Sequence, residues 1–159
     1  MSKRKLYVIN PYNLDYIKKV EMFEQEYNID KVLSNNLLKI SETIEENDYM
    51  KMLEERNEID IDFYYGTPSK IEDICHAHFE KDIKKCHIYL VEFKNSPKKR
   101  ILLGLITAYA IESLGMQEVF ITTDIKNKNL CLQLKQEGYE NLGEENNTVS
   151  FLKEATIEM

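Results

Sequence analysis

The strongest constraint on the fold lies between Ile88 and Gly143. There a strand-like run, YLVEF, meets a basic turn, KNSPKKR, and then an almost wholly apolar stretch, ILLGLITAYAIESLG, too long to be a strand. A second strand-like run, QEVFITT, follows. Two apolar strands joined through a helix that is apolar nearly all round require a sheet with that helix laid on it and covered elsewhere. Ser96 is a good N-cap and Pro97 suits the first helical position, so the spacing predicts a helix from Pro97 to Ser113, closed by Gly115.

Lys98, Lys99 and Arg100 stand at that predicted helix start. The N-terminus of a helix carries partial positive charge and unpaired N–H groups, so cations there oppose the helix dipole. Two readings follow. Either the turn is simply solvated, or an anion such as a phosphate sits on the helix end between the backbone N–H groups and the basic side chains.

The rest of the chain frames this unit. KLYVIN, closed by Pro11, reads as a first strand. Asn13 caps a helix whose residues Leu14, Ile17, Val20, Phe23 and Tyr27 recur at helical spacing. A second helical stretch from Asp30 carries Val32, Leu33, Leu37, Ile40 and Ile44, with a further turn around Met50 and Leu53. IDIDFYYG, IEDICHAHFE and CHIYLVEF then read as an antiparallel meander. A short helix from Asn127 to Glu137 leads to Gly138-Tyr139 and a last hairpin in which EENNT joins YENLG to VSFLKE. The order β α α β β β α β α β β predicts an α+β sheet with helices on both faces, a single domain over residues 1–159.

Charge excludes some roles. A formal net charge of −7 argues against nucleic acid as a partner. Between Glu42 and Asp62 there are nine carboxylates against Lys51 and Arg56, either a solvated helix face or a surface that attracts cations. Cys75, Cys86 and Cys131 are odd in number with no paired spacing, which fits reduced thiols. No apolar run follows Met1-Ser2-Lys3-Arg4-Lys5, so no membrane partner is expected and the expected location is the cytoplasm.

His76 and His78 are two apart on a predicted strand and share a face, with His87 on the neighbouring strand. One residue of register decides whether His87 joins them. With no Cys-x-x-Cys or His-x-x-x-His spacing, no metal is expected. Cys131, flanked by Leu130 and Leu132, reads as a buried, inert thiol.

Taken together, YLVEFKNSPKKRILLGLITAYAIESLG, FITTDIKNKN and LKQEGYENLGE resemble the GNAT superfamily of acyl-CoA-dependent N-acyltransferases. The resemblance covers nearly the whole chain in element order and about the last seventy residues in detail. It implies a mixed, mostly antiparallel splayed sheet of about seven strands. It implies acetyl-CoA as co-substrate, lodged between the strand ending near Phe93 and the strand of Phe120. The backbone at Val91 and Phe93 would hold the pantetheine arm, Asn127 would bond it, and Ser96, Lys98, Lys99 and Arg100 would surround the pyrophosphate. The implied activity is direct acetyl transfer to a primary amine acceptor, a cationic small molecule or a lysine. Glu92, near the expected splay, is the first candidate base and Glu80 the second. Exposed edges at the last hairpin allow pairing into a homodimer.

The chain also departs from the family pattern. Ser96, Lys98 and Arg100 stand where the family's loop glycines are usual, and Leu134 stands where many members carry a proton-donating Tyr. These departures imply the alternative of a catalytically impaired module that binds a ligand or a protein. A third reading is an α+β interaction protein that binds no nucleotide.

Overall fold

A computed structural model of the chain describes residues 3–92 and 99–155. Seven strands, β1 (Lys5–Ile9), β2 (Glu58–Gly66), β3 (Ile71–Glu80), β4 (Lys85–Leu90), β5 (Glu118–Asp124), β6 (Glu140–Glu145) and β7 (Thr148–Glu154), form one sheet in the order β1-β2-β3-β4-β5-β7-β6. Only β4 and β5 run parallel; every other neighbouring pair is antiparallel. The expected mixed, mostly antiparallel sheet is therefore present.

Period-two alternation gives each strand one face to each side of the sheet. Ile61, Phe63, Ala77, Phe79, Ile88, Val119, Ile121 and Phe151 point to one side. They are packed by α4 (Ile101–Ala108) and α5 (Lys128–Gln136) through Leu102, Leu103, Ile106, Leu130 and Leu134. On the other side Ile9, Tyr64, Ile71 and Ile74 meet Ile17, Val20, Phe23 and Leu37. Those residues belong to α1 (Leu14–Glu26) and α2 (Val32–Thr43). Helices thus cover both faces.

Local signals explain the joints. Asn13 caps α1, its side chain accepting from the N–H of Asp15. Asn146 and Asn147, at φ of 51° and 67°, make the tight turn of the last hairpin, a conformation that Asn tolerates. Gly115 at φ 71° turns the chain from the helix into β5.

Three expectations need correction. The segment after Glu45 is a separate helix, α3 (Glu46–Glu55), rather than a turn. Strand β4 stops at Leu90, short of Phe93. The long helix begins at Ile101, not at Pro97: Arg100 is its N-cap, in extended conformation at φ −94° and ψ 108°, and the last turn, Tyr109–Ser113, is π-helical. Ser96 and Pro97 lie outside the described residues. No helix among the described residues is long and apolar enough to cross a membrane.

Candidate functional site

The sheet opens where the parallel pairing of β4 with β5 ends. Pairing between β4 and β5 runs from Lys85↔Glu118 to Ile88↔Ile121 and stops there. Beyond it Tyr89 and Leu90 pair only with β3, while Thr122, Thr123 and Asp124 pair only with β7. The two strands part, leaving a slot edged by backbone groups that no longer serve each other.

Glu92 lies at this opening. Its Oε1 accepts from Thr123 Oγ1 at 2.7 Å and from Asn127 Nδ2 at 3.4 Å. The first candidate base and the candidate cofactor asparagine, 35 residues apart in sequence, are brought together. Val91, one residue earlier, donates its N–H to Ile74 O at 3.4 Å and packs on the core under α1. Glu80 is elsewhere. It pairs with Glu58 and Lys85 at the far end of β3, five residues from Cys75, which faces Leu90. At about 3.4 Å per residue that is about 17 Å from the opening, too far for a base acting there.

The start of α4 is built differently from the sequence expectation. Arg100 is 4% exposed, and its guanidinium is paired with Asp73: Nε donates to Oδ2 at 2.9 Å and Nη2 donates to Oδ1. The amide of Gln133 on α5 clamps the same residue's backbone, accepting from Arg100 N at 2.9 Å and donating to Arg100 O at 2.7 Å. Arg100 is thus a buried structural residue, not a member of a basic array at the helix end. Lys99 is exposed and lines a cavity of about 560 Å³ with Arg4, Tyr27 and Tyr65. The other residues expected around the cofactor, Phe93, Ser96 and Lys98, lie outside the described residues.

Leu134, at the position where the resemblance implies a Tyr in many members, is fully buried in the core. Tyr139 offers no replacement: its hydroxyl is buried against Thr107 Oγ1 at 2.6 Å, and burial pushes its pKa up. Cys131 is half-buried, and burial raises its thiol, so it is not an activated nucleophile.

The histidine register is settled. His78 stands directly opposite His87, so all three histidines share one face of the sheet. His76 Nδ1 lies 2.9 Å from Asp62 Oδ1 and its Nε2 2.9 Å from Asp60 Oδ1. Burial alone would lower the pKa of His76, but the two carboxylates carry it above its ordinary value. Beside this group a cavity of about 240 Å³ opens between α2, α3 and β2, lined among others by Tyr49, Arg56, Glu58, Asp60 and Asp62. His87 instead stacks on Phe120, ring centroids 5.0 Å apart.

Sequence reasoning missed Thr123, Asp73, Gln133 and the Asp60–His76–Asp62 set. For the last a signal existed: the alternations D-I-D and H-A-H on consecutive strands place like positions on one face.

No protein-family model matches the chain, and no curated protein matches it. Solved structures do. The N-acetyltransferase PseH of Campylobacter jejuni superposes with a TM-score of 0.65 at 16% identity, covering 96% of this chain and 99% of that one. PseH in complex with acetyl coenzyme A gives 0.62 at 14% identity, over 96% of this chain and 100% of that one. The dodecameric spermidine N-acetyltransferase of Vibrio cholerae gives 0.63 at 10% identity, over 96% and 94%. The chain has the GNAT fold.

Proposed function

We propose that this chain, a single domain, is an acyl-CoA-dependent N-acyltransferase that moves an acetyl group from acetyl-CoA to a primary amine. The observation that carries the reading is the opening between β4 and β5 with Glu92 held across it by Thr123 and Asn127. Two further supports are acetyl coenzyme A in the similar PseH and the amine named for the Vibrio cholerae enzyme.

In this reading backbone groups at Val91 and Phe93 hold the pantetheine arm in the slot. Lys98 and Lys99, with the N–H groups near Ser96, take the pyrophosphate, and Asn127 turns to the arm. The amine nitrogen attacks the thioester carbonyl, the N–C bond forms and the C–S bond breaks. Glu92 takes the proton lost by the amine. With Leu134 unable to donate, the departing thiolate is protonated from solvent.

The acceptor is a cationic amine. Its positive end is drawn by the cavity walls at Glu58, Asp60 and Asp62, where three carboxylates face Arg56 and His76. The three free cysteines fit a reducing compartment such as the cytoplasm.

The test is release of free thiol from acetyl-CoA with a panel of primary amines, beside calorimetric titration of wild type and a Lys98→Glu/Lys99→Glu variant. Amine-dependent release, with cofactor binding lost in the variant, is expected. A second reading, a domain that binds acyl-CoA without turnover, is favoured by the buried Leu134; binding with no release above the uncatalysed rate would select it. No binding at millimolar ligand would overturn both.

A further inference from the structure

At the end of the sheet remote from the opening, strands β2 and β3 bring together three donor groups of a kind that metals use. The nearest ligand atoms of Glu58, His78 and Glu80 all lie within 4.8 Å of one another. We infer that these three residues form a binding site for a divalent transition cation of the zinc class. The inference does not rest on the acyl-transfer reading, although Glu58 and Asp60 also line the cavity given there to the acceptor.

The first argument is the imidazole. His78 Nδ1 lies 2.9 Å from Asp60 Oδ1; an ionised carboxylate only accepts, so Nδ1 keeps its proton and donates it in this hydrogen bond, which fixes the tautomer of the neutral ring. The lone pair is then on Nε2, directed to Glu80 Oε1 at 3.9 Å. A histidine whose other nitrogen is held by a carboxylate is the usual arrangement around a protein-bound metal. The 3.9 Å gap is too long for a hydrogen bond. Two donors at zinc distances of about 2.0–2.2 Å from one ion lie about 3.4 Å apart at the tetrahedral angle, so the His78–Glu80 pair has to close by about 0.5 Å and no pair of the three by more than about 1.4 Å.

The second argument is an uncompensated repulsion. Glu58 and Glu80 are directly opposite in the β2–β3 ladder, and like charges so placed are destabilising. The cations nearby are engaged elsewhere. Lys81 donates to the carbonyls of Leu53 and Glu54, and Lys85, opposite Glu80 on β4, lies 3.9 Å from Glu118. Among the described residues the one Lys, Arg or His nitrogen within 4 Å of either glutamate is His78 Nε2, which bears no proton in the neutral ring. A shared dication removes the repulsion and uses both carboxylates.

The donor set decides which cation. Mg²⁺ and Ca²⁺ take oxygen ligands, whereas an imidazole with two carboxylates suits Zn²⁺, Co²⁺ or Mn²⁺. The ligands stand on regular strands, and the adjoining turn is pinned by Asn57, whose side chain donates to Asp82 Oδ1 and accepts from Asp82 N. Water completes the coordination on the exposed side of Glu58. The ion would lie, like Glu80, about 17 Å from the opening at Leu90, and would tie β2 to β3 rather than act on the thioester.

The experiment uses the untagged full-length chain, freed of metal, titrated with Zn²⁺ by calorimetry and with Co²⁺ by visible absorption. One equivalent of each is expected, with Mg²⁺ binding at least a hundredfold weaker. His78→Ala and, separately, the Glu58→Gln/Glu80→Gln pair should each lose at least a hundredfold in Zn²⁺ affinity. Asp60→Asn, which removes the carboxylate that orients His78 and also partners His76 Nε2, should lose about ten- to a hundredfold with the stoichiometry kept. Circular dichroism establishes that each variant is folded; should His78→Ala unfold, the glutamine pair decides. Absence of binding by the wild type, full affinity in the folded variants, or Mg²⁺ binding as tight as Zn²⁺ overturns the site.

Discussion

Glu92 Oε1 accepts a hydrogen bond from Thr123 Oγ1 at 2.7 Å, so a carboxylate from the end of β4 is held by β5 across the gap where the two strands part. The bond fixes one carboxylate oxygen and leaves the other for a proton. Glu92→Gln keeps shape and can still bond Thr123, but cannot take a proton from an attacking amine. Acyl transfer should fall by about 10²–10⁴ in kcat, the range of general-base contributions, with the Kd for acetyl-CoA changed only a few-fold. Thr123→Val, which frees the carboxylate without removing it, should cost about tenfold. Turnover by Glu92→Gln within twofold of wild type would remove Glu92 from the chemistry.

Arg100 and Lys99 are neighbours in sequence with opposite expected behaviour. Asp73→Asn strands a buried guanidinium, and breaking a buried pair from one side costs about 3–5 kcal/mol, read as a lower urea midpoint with unchanged slope. Asp73→Leu with Arg100→Met should recover most of that loss. Gln133→Ala removes the acceptor of the Arg100 N–H and one of the two donors to its C=O, the Leu103 N–H at 3.3 Å being the other, at about 1–3 kcal/mol. Lys99→Glu should leave the urea midpoint unmoved and weaken acetyl-CoA instead. A stability loss in Lys99→Glu as large as in Asp73→Asn would contradict the division.

Thiol chemistry separates the cysteines. Cys75 and Cys86 are fully buried, and desolvation raises both thiols, Cys86 to about 12. Cys131 is half-buried and raised by the same cause. An aromatic disulfide reagent at neutral pH should therefore titrate at most one thiol in the native protein, slowly, and all three in denaturant. Labelling should quicken as the pH rises, because only the thiolate reacts. Mass mapping that finds Cys75 or Cys86 labelled under native conditions would show that the sheet opens locally.

The element order was legible because the chain alternates its periods cleanly. Runs such as IDIDFYYG and IEDICHAHFE repeat every two residues, and α1 repeats Ile17, Val20 and Phe23 at helical spacing. Glu92 and Asn127 could be singled out because the resemblance to the GNAT superfamily implies where the sheet splays and where an asparagine meets the cofactor arm. Arg100 could not be told from Lys98 and Lys99, since three adjacent cations look alike until Asp73, 27 residues upstream, is known to face one of them. The helix start was misplaced for the same reason: Ser-Pro is a strong local signal, but Gln133, 33 residues on, holds the peptide of Arg100 in extended form. The shared face of His78 and His87 depended on register, which one residue of slip reverses. Glu80 was singled out by residue type alone, and its distance from the opening is a tertiary fact.

Glu24 provides the last prediction. It lies on α1 in the buried face with Val20 and Phe23, is 1% exposed, and neither carboxylate oxygen has a hydrogen-bond partner among the described residues. A buried carboxyl group without hydrogen-bond partners forfeits its hydration with nothing in exchange, which costs stability. Glu24→Met is close in volume and removes the polar group, so it should raise stability by about 1 kcal/mol or more, a Tm gain of about 2–4 °C for a chain of this size. Glu24→Gln should gain less, because a buried amide also lacks partners. A Tm that falls by several degrees in Glu24→Met would mean that the carboxylate has a compensating partner. A higher Tm together with lost acyl transfer would have a different meaning: the unpartnered carboxyl is then kept for function at the expense of stability, a trade that functional sites commonly make.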